Sequence, residues 1–382
     1  MRRIKPAFAI LLLSTSVLAA DLPLDRIRLP PGFAIALWAR VDNPRQMTLG
    51  HHDRDGGTLF VGSMQAGKVH AVRFGADFKP KDVHLVARGL QQPIGVAYRE
   101  GSLYVSAVSR ILRYDDVDRR TDHPPAAVLV TGRLPVETHH GGKFIAFGPD
   151  GKLYVPVGAP CNSCAPDPQR YALILRMNPD GSAMETYARG VRNSVGFDWH
   201  PQTRALWFTD NGRDLLGDDV PPDELNHAPE AGMDFGYPYC HAGDLPDPDF
   251  GGESGCAKFA APAQKLGAHV APLGMRFYTG AMFPAEYRNQ LLIAEHGSWN
   301  RSMKAGYRIT LVRLQEGKPV AYETFASGWL VGEKVWGRPA DVLVLPDGSL
   351  LVADDTAGAI YRITYQAADL RANALRNGAA VP

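Results

Sequence analysis

A short pattern of turn-forming and apolar positions recurs six times along the chain. Each copy begins with a turn and continues with a leucine and further apolar residues, as in a strand that is buried on both faces. The leucines that mark the copies are Leu59, Leu103, Leu153, Leu206, Leu291 and Leu350. Several copies are followed by another predicted strand, at 68–73, 110–114, 173–177, 308–313 and 359–363. The pattern therefore predicts a repeated unit of short antiparallel strands.

The spacing of the copies predicts how these units are arranged. Successive leucines lie 44 to 59 residues apart, except for one step of 85 residues between Leu206 and Leu291. Repeats of this length, each a small antiparallel sheet, are typical of a β-propeller. Six copies predict an all-β protein, a six-bladed β-propeller over residues 21–366, with its first strand at 29–41. Separate small sandwiches are the alternative, but no linkers separate the copies.

The third copy carries the most distinctive local sequence. Residues 143–147 and 152–157 are predicted as antiparallel strands joined by a Gly-Pro-Asp-Gly turn, because proline presets φ and Asp-Gly tolerates left-handed backbone. Two histidines, His139 and His140, stand with two glycines just before the first of these strands. The strands recur along the chain and the histidines do not. The histidines are therefore the better candidates for chemistry.

The two ends of the chain are predicted to lie outside the propeller. Residues 1–20 have a basic start, an apolar run and small residues at the end, which indicates a secretory signal peptide and a periplasmic or secreted protein. A retained membrane anchor is the weaker alternative, since about 20 apolar residues are needed to span a bilayer. No later segment is predicted to span a membrane. Residues 367–382 are predicted to be a short helix or a disordered tail.

Charge and cysteine content narrow the possible functions. The chain has 41 basic and 40 acidic residues, a formal charge of +1, which argues against a nucleic-acid surface. An even number of cysteines in an exported chain predicts two disulfides, most simply Cys161–Cys164 and Cys240–Cys256. A four-thiolate zinc site would need a second close pair of cysteines, and Cys240 and Cys256 are too far apart in the sequence to form one. A redox C-x-x-C would need a βαβ context, which the sequence does not show. The second disulfide falls within the 85-residue step, which we expect to form a wall or lid of a site.

Loops that depart from the repeat should line the mouth of the central channel. These loops carry the candidate residues His139, His140, Arg192, Asn193, Gly212, Arg213, His296, Arg301 and Arg338. A guanidinium group can bind a carboxylate through two N–H donors, and an aromatic or guanidinium face can stack on a planar ring. The set of residues therefore favours a planar, polyanionic ligand. Each residue also has a structural alternative: a core histidine, a surface ion pair or a solvated loop. The acidic residues Asp214, Asp218, Asp219, Asp223 and Glu224 fit either a solvated loop or a hard-cation site.

Between residues 29 and 365 the sequence resembles the soluble pyrroloquinoline-quinone (PQQ) sugar dehydrogenases. The resemblance is strongest to their sorbosone dehydrogenase-like branch. It depends on five segments taken together: His-His-Gly-Gly-Lys through Cys-Asn-Ser-Cys (139–164), Leu-Arg-Met-Asn-Pro-Asp-Gly (175–181), Arg-Gly-Val-Arg-Asn (189–193), Pro-Pro-Asp-Glu-Leu-Asn (221–226) and Ala-Glu-His-Gly-Ser-Trp-Asn-Arg (294–301).

The resemblance implies a propeller that holds PQQ over a calcium ion. The general base of the family matches His140 when counted back from Gly148 and His139 when counted from the glycine pair. The family's arginine-asparagine pair matches Arg192 and Asn193, and its calcium-binding carbonyls match Gly212 and Arg213. Its blade-six arginine matches Arg338, and His296 and Arg301 complete the cofactor-binding candidates. Two residues depart from the glucose-oxidising members: His296 replaces a lysine and Ala340 replaces a second arginine, which weighs against glucose as the substrate.

The implied function is an exported dehydrogenase for a sugar or a sugar-derived aldehyde or alcohol. A histidine would take the hydroxyl proton while hydride passes to PQQ at C5, with Ca²⁺ polarising the C5 carbonyl and Arg192 stabilising charge. The expected partners are the small-molecule substrate and an electron acceptor (a quinone, a cytochrome or a dye). A calcium-dependent hydrolase of the gluconolactonase type and a non-catalytic binding propeller are the alternatives. A reducible quinone chromophore after reconstitution would separate the dehydrogenase from both.

Overall fold

A computed structural model describes residues 22–252 and 255–367 and shows six four-stranded antiparallel blades. Blade one is formed by Pro44–Asp53, Gly56–Ser63, Val69–Gly75 and Pro80–Ala87. Blade two is formed by Val96–Arg99, Ser102–Ala107, Arg110–Tyr114 and Val128–Thr131. Blade three is formed by Ala146–Phe147, Leu153–Val157, Leu173–Met177 and Glu185–Arg189. Blade four is formed by Phe197–Trp199, Leu206–Asp210, Pro222–Ala228 and Gln264–Ala268. Blade five is formed by Pro272–Phe277, Leu291–Glu295, Arg308–Gln315 and Lys318–Ala326. Blade six is formed by Pro339–Val344, Leu350–Asp354, Ala359–Tyr365 and Phe33–Arg40. The prediction of an all-β, six-bladed propeller is confirmed.

The predicted signal peptide at 1–20 and nearly all of the tail at 367–382 lie outside the described residues. Outside the blades, the described residues contain three short 3-10 helices, Leu24–Arg26, Val117–Arg119 and Ala285–Tyr287, and a small hairpin of Leu330–Val331 and Lys334–Val335. Within the described ranges, no helix is long and apolar enough to cross a membrane.

The six repeated leucines form the centre of the blades. All six lie on the second strand of a blade and are fully buried. Burial of a leucine side chain contributes roughly 1.5–3 kcal/mol, so the repeat stabilises every blade in the same way. The first strands of blades four, five, six, one, two and three contact one another in that order around the ring, and these strands therefore line the central channel.

The N-terminal strand closes the ring. Phe33–Arg40 pairs antiparallel with Ala359–Tyr365, from Phe33 opposite Tyr365 to Arg40 opposite Ala359. The predicted strand at 29–41 was too long, because Gly32 forms a turn with φ +84° and the N–H of Phe33 bonds back to Pro30. Blade six thus combines the two ends of the propeller and holds it closed.

The strand predicted at 143–147 is reduced to Ala146–Phe147. Side chains of neighbouring blades take the backbone groups that a longer strand would use. The amide of Gln46 bonds both the N–H (3.0 Å) and the carbonyl (2.7 Å) of Ile145, and the Ser106 hydroxyl donates to the carbonyl of Lys143. The segment that follows the two histidines is therefore held by side chains from blades one and two.

The 85-residue step contains blade four's outer strands and an ordered excursion. Met233–Asp234 adds a parallel strand to the outer edge of blade three, and Cys240–His241 pairs with Leu245–Pro246. Both predicted disulfides, Cys161–Cys164 and Cys240–Cys256, are present. The excursion packs behind the loop that follows Leu206–Asp210 through a bond from Arg213 to Asp247. The excursion therefore forms a wall behind that loop.

Candidate active site

A pocket lies at one end of the channel, where interblade loops meet loops within blades. The first strand of each blade begins at this end, and the antiparallel second strand ends there. Residues just before a first strand and just after a second strand are consequently neighbours. The pocket is lined by His140, Arg192, Asn193, Asn211, Gly212, Asp214, Asp223, His269, Ala271, Ser298 and Trp299.

Of the two adjacent histidines, His139 and His140, the structure places His140 in the lining of the pocket. Its backbone is left-handed, with φ 50°, which is uncommon for a residue with a side chain and is a form of strain that often marks functional sites. Nδ1 lies 2.8 Å from the carbonyl oxygen of Ala159, so Nδ1 carries the proton and Nε2 keeps its lone pair. Burial, then Arg192 and His139, lower the pKa of His140 well below its usual value, so the ring is neutral near pH 7.

His139 has a different environment. Its ring centroid lies 4.1 Å from that of His140, but it does not line the pocket. Burial and the nearby charge of Arg192 lower its pKa, partly offset by Asp214. The geometry therefore favours His140 over His139 as a base.

The backbone of Arg192 and Asn193 is fixed by one buried carboxylate. Asp210 accepts hydrogen bonds from the N–H groups of Arg192 (2.8 Å) and Asn193 (2.6 Å). Burial and the neighbouring Glu224 raise the pKa of Asp210 well above its usual value. The side-chain amide of Asn193 has no hydrogen bond to any described residue, so it can bind a ligand.

The guanidinium of Arg192 is held mainly by carbonyl oxygens. Its side chain is 4% exposed, and it donates from Nε and Nη2 to Asn162 and from Nη1 to the carbonyl of Asn211. The nearest carboxylate oxygen, on Asp214, is 4.0 Å from Nη2. A guanidinium has five N–H donors. Three are used here, which leaves two for a ligand in the pocket.

Gly212 and Arg213 follow the second strand of blade four. The N–H of Gly212 donates to Asp223 (2.7 Å), whose other oxygen accepts from the N–H of Ala271. Burial raises the pKa of Asp223 to about 7. The side chain of Arg213 bonds Asp247 at 2.6 Å, so only its backbone is available at the pocket side.

The acidic residues near this loop do not form one cluster. Asp223 and Glu224 are buried on the strand Pro222–Ala228. In contrast, the carboxylate of Asp219 pairs with Arg301, and that of Asp218 accepts from the N–H of Ser302. In the part of the chain that the structure describes, no group of three or more His, Cys, Asp or Glu side chains is arranged to hold a metal ion. Any metal at Gly212 and Arg213 would depend on backbone carbonyls.

Three predicted cofactor residues lie apart from the pocket lining. His296 bonds the carboxylate of Asp355 at 2.9 Å and 3.0 Å, and burial lowers the pKa of His296 to about 4. Arg338 donates to the carbonyls of His296 (2.9 Å) and Gly297. Arg301 donates to the carbonyl of Asp218 and to Asp219. The structure thus brings His140, Arg192, Asn193 and Gly212 together, and places these three elsewhere at the same end of the channel.

Sequence reasoning missed several residues at this end of the channel, and the repeat contained a signal for the carboxylates that fix the arginine loops. The second strand ends in Asp210, Glu295 and Asp354 in blades four to six, and in uncharged residues in blades one to three. Asp354 accepts from the N–H of Arg338 (2.8 Å), as Asp210 does from Arg192. In blades four and six, the acid at this repeat position therefore marks the loop that carries the arginine, whereas Glu295 bonds side chains of its own blade.

His269 had no such signal, whereas Trp299 lies within the motif 294–301 but was not among the candidate residues. His269 bonds the carbonyl of Gly217 (2.8 Å) and lies 3.4 Å from Asp214. Trp299 is 73% exposed at the rim of the pocket. Both lie in irregular loops whose meeting point depends on the ring closure.

Comparison with known proteins agrees with this architecture. Residues 98–362 match the glucose/sorbosone dehydrogenase family. A protein of Borreliella burgdorferi, described as uncharacterized, is 36% identical over 373 residues, covering 94% of this chain and 96% of that protein.

Solved structures at lower identity share the fold. A calcium structure of a carbohydrate-active enzyme of family AA12 from Trichoderma reesei has a TM-score of 0.77 at 19% identity and covers 91% of this chain and 99% of its own. The holo PQQ domain of a Coprinopsis cinerea pyranose dehydrogenase has a TM-score of 0.72 at 19% identity (88% and 97% covered). A PQQ-bound aldose sugar dehydrogenase from Streptomyces coelicolor has a TM-score of 0.62 at 22% identity (89% and 100% covered). With its fold, its loop motifs and a family match over most of its length, the chain belongs to the glucose/sorbosone dehydrogenase family.

Proposed function

We propose that this chain is a PQQ-dependent dehydrogenase that oxidises a hydroxyl group, or a hydrated aldehyde, of a sugar or sugar derivative. Membership of the glucose/sorbosone dehydrogenase family supports the reaction class, and the holo and PQQ-bound relatives support the cofactor. The observation that carries the proposal is the placement of His140, with Nε2 unprotonated, in the same pocket as the Arg192–Asn193 pair.

The donor groups of the pocket fit a planar, polycarboxylate quinone. Arg192 has two unused N–H donors and Asn193 an unused amide, both suited to carboxylate or quinone oxygens. The exposed indole of Trp299 adds an aromatic surface at the rim. PQQ bound here would supply an electrophilic quinone carbon that accepts hydride from the substrate.

His140 would act as the general base. Its hydrogen bond to Ala159 fixes the ring orientation and the tautomer. The lowered pKa keeps Nε2 unprotonated at neutral pH. A substrate hydroxyl within hydrogen-bond reach of Nε2 could therefore transfer its proton to the ring as hydride leaves carbon. The positive charge of Arg192 stabilises negative charge that develops beside it.

Calcium belongs to the same proposal. The carbonyl groups of Gly212 and Arg213 are hard oxygen ligands of the type that Ca²⁺ uses. Asp223 holds the N–H of Gly212 and so fixes the loop. A cation at these carbonyls would add a Lewis acid to the site.

The alternatives have less support. A hydrolase of the gluconolactonase type needs a carboxylate-rich cage on the channel axis, and the described residues contain no such metal-ligand group. A binding propeller would have no need for a strained, neutral histidine beside a buried arginine.

Export to the periplasm or outside the cell, and transfer of electrons to a quinone or cytochrome, complete the proposal. The basic and apolar pattern of residues 1–20 supports export, as does the even number of paired cysteines. A hydride acceptor must be reoxidised in each cycle, which requires an external electron acceptor.

Reconstitution tests the proposal. Purified protein is loaded with PQQ and Ca²⁺ and mixed with a panel of aldoses, ketoses and sugar-derived aldehydes, with an artificial dye as acceptor. We expect substrate-dependent reduction of the quinone absorbance and of the dye, with His140→Ala as a folded control that binds PQQ but turns over slowly. A lactone hydrolase activity without quinone reduction would contradict the proposal.

A further inference from the structure

Asn162 lies between Cys161 and Cys164, in the irregular segment 158–172 that joins the second and third strands of blade three. Its carbonyl oxygen accepts from Nε of Arg192 at 3.0 Å, and its side-chain oxygen accepts from Nη2 at 2.8 Å. One residue thus binds one whole edge of the guanidinium. A buried charge is costly unless its donors are satisfied, so these two acceptors largely determine where the guanidinium lies.

Asn162 is itself fixed to the neighbouring blade. Its side-chain oxygen also accepts from the N–H of Asp214 (3.0 Å), and its amide nitrogen donates to the carbonyl of Asp214 (3.3 Å). Asp214 follows Gly212 and Arg213 in the same loop. The amide of Asn162 therefore connects the loops of blades three and four around the guanidinium.

The disulfide restricts the segment that carries Asn162. It closes the four residues Cys-Asn-Ser-Cys. The N–H of Cys164 donates to the hydroxyl of the buried Tyr237 (3.3 Å), and Sγ of Cys161 lies 3.8 Å from the same hydroxyl. The segment has no ladder of strand bonds, so the disulfide and Tyr237 help to hold Asn162 in register with Arg192, together with the bonds to Asp214 and the bond from the N–H of Ala159 to the carbonyl of Arg192.

We propose that Asn162, constrained by the Cys161–Cys164 disulfide, is a positioning residue that sets the orientation of Arg192 and thereby the affinity of the site for its anionic cofactor. The proposal rests on the proposed function for the identity of that cofactor, PQQ, but not for the link between Asn162 and Arg192. The C-x-x-C motif is then part of the binding site through Arg192, in addition to its contribution to stability.

The link is tested first without cofactor. In the apo protein the Nε proton of Arg192 is assigned by NMR, and its exchange with solvent is measured. We expect slow exchange in the native chain and in Ser163→Ala, because Ser163 makes no side-chain hydrogen bond with any described residue. Fast exchange is expected in Asn162→Ala and in Cys161→Ser/Cys164→Ser. Slow exchange in Asn162→Ala would overturn the proposal.

Two further variants separate positioning from general loss of structure. Cys240→Ser/Cys256→Ser removes the other disulfide, and its Arg192 proton should stay protected. Asn162→Asp keeps both oxygen acceptors, loses the donor to Asp214 and adds a negative charge beside the guanidinium, so protection should be retained there as well. Fast exchange in either variant would show that any loosening of these loops releases Arg192, which contradicts a specific role of Asn162.

Cofactor affinity is then measured in a double-mutant cycle. The Kd for PQQ is determined by fluorescence quenching for the native chain, Asn162→Ala, Arg192→Ala and the double variant. Replacing a residue that orients a metal ligand typically costs about 10- to 100-fold in metal affinity, and we expect an effect of this order for a residue that orients Arg192. We expect a tenfold or larger loss for Asn162→Ala in the native background and no further loss in the Arg192→Ala background, since the two residues act as one unit.

The outcomes of the cycle are distinguishable. Equal losses for Asn162→Ala in both backgrounds would overturn the proposal, because Asn162 would then act independently of Arg192. A native chain that binds no PQQ would contradict the proposed function, and the exchange measurement would still decide whether Asn162 orients Arg192.

Discussion

The ring of His140 is tied to Ala159 by a hydrogen bond of 2.8 Å from Nδ1 to the backbone carbonyl oxygen. The N–H of Ala159 in turn donates to the carbonyl of Arg192 (2.8 Å). One residue of a loop in blade three therefore sets the orientation of the proposed base relative to the proposed cofactor-binding arginine. Gly158, just before it, also has to be small, since a Cβ there would lie 2.6 Å from Cβ of His140.

Replacement of His140 by alanine should lower kcat by roughly 10²–10⁴-fold, the usual contribution of a general base. PQQ affinity should change little, because the donors to the cofactor lie on Arg192 and Asn193. Steady-state kinetics with dye as acceptor and a PQQ titration measure the two quantities separately.

His139→Ala is the matched control for this experiment. His139 lies beside His140 but does not line the pocket, so we expect a change in kcat much smaller than that of His140→Ala. Full turnover in His140→Ala together with a large loss in His139→Ala would assign the base to His139.

The pH dependence of kcat/KM should reflect the lowered pKa of His140. Burial and the charges of Arg192 and His139 disfavour its protonated form, so the base stays unprotonated as the pH falls through 6.5, the ordinary value of a histidine. We expect the acid limb of kcat/KM to lie below pH 6.5. An acid limb at or above this value would show that His140 is not the group that titrates.

The same group predicts a stability effect. Because the pKa of His140 is lowered in the folded protein, the unfolded chain binds this proton more readily than the folded protein as the pH falls below 6.5. Stability should therefore fall as the pH is lowered from 6.5. His140→Ala should reduce this dependence, as measured by denaturant unfolding at pH 5.5 and pH 7.

The fold could be predicted because its signal is local and repeated. Each leucine-centred strand is buried in the same way, so six copies indicate six blades. Ring closure by Phe33–Arg40 could not be read from the sequence, since pairing across the length of the chain leaves no local pattern. The strand predicted at 143–147 was also too long, and only Ala146–Phe147 forms. The side-chain amide of Gln46, from blade one, bonds backbone groups that a longer strand would use.

The site could be predicted only where a motif marks it. His140, Arg192 and Asn193 stand out beside glycines in unrepeated loops, and the structure places them in one pocket. Asn162, Asp210 and His269 act through contacts between loops that are far apart in the sequence. For Asp210 the repeat itself held a signal, an acid at the end of the second strand.

Calcium removal should abolish the dye-linked oxidation. If Ca²⁺ is bound by the carbonyls of Gly212 and Arg213, a chelator competes for it and removes the Lewis acid that it would supply. Addition of Ca²⁺ and PQQ should restore activity. Activity that persists in excess chelator, with the metal content of the sample checked, would rule out this site.

The protein isolated from its native compartment should begin at Ala20 or Asp21 and contain no free thiol. The leader pattern at 1–20 predicts the cleavage, and Cys161–Cys164 and Cys240–Cys256 account for all four cysteines. Intact mass with and without reduction and alkylation measures both. Four alkylated cysteines without reduction would contradict export to an oxidising compartment.

The three candidate arginines should differ in their effect on PQQ binding. Arg192 is in the pocket with two unused donors. Hydrogen bonds to charged groups contribute about 1.5–3 kcal/mol, so Arg192→Ala should raise the Kd by about 10- to 100-fold.

Arg301 is engaged with Asp218 and Asp219 and should have little effect. Arg338→Ala should lie between them, because its guanidinium holds the carbonyls of His296 and Gly297 and its loss would loosen that loop. A PQQ titration of the three variants gives the order, and a larger loss for Arg301→Ala than for Arg192→Ala would show that the cofactor lies nearer the rim of blade five than we propose.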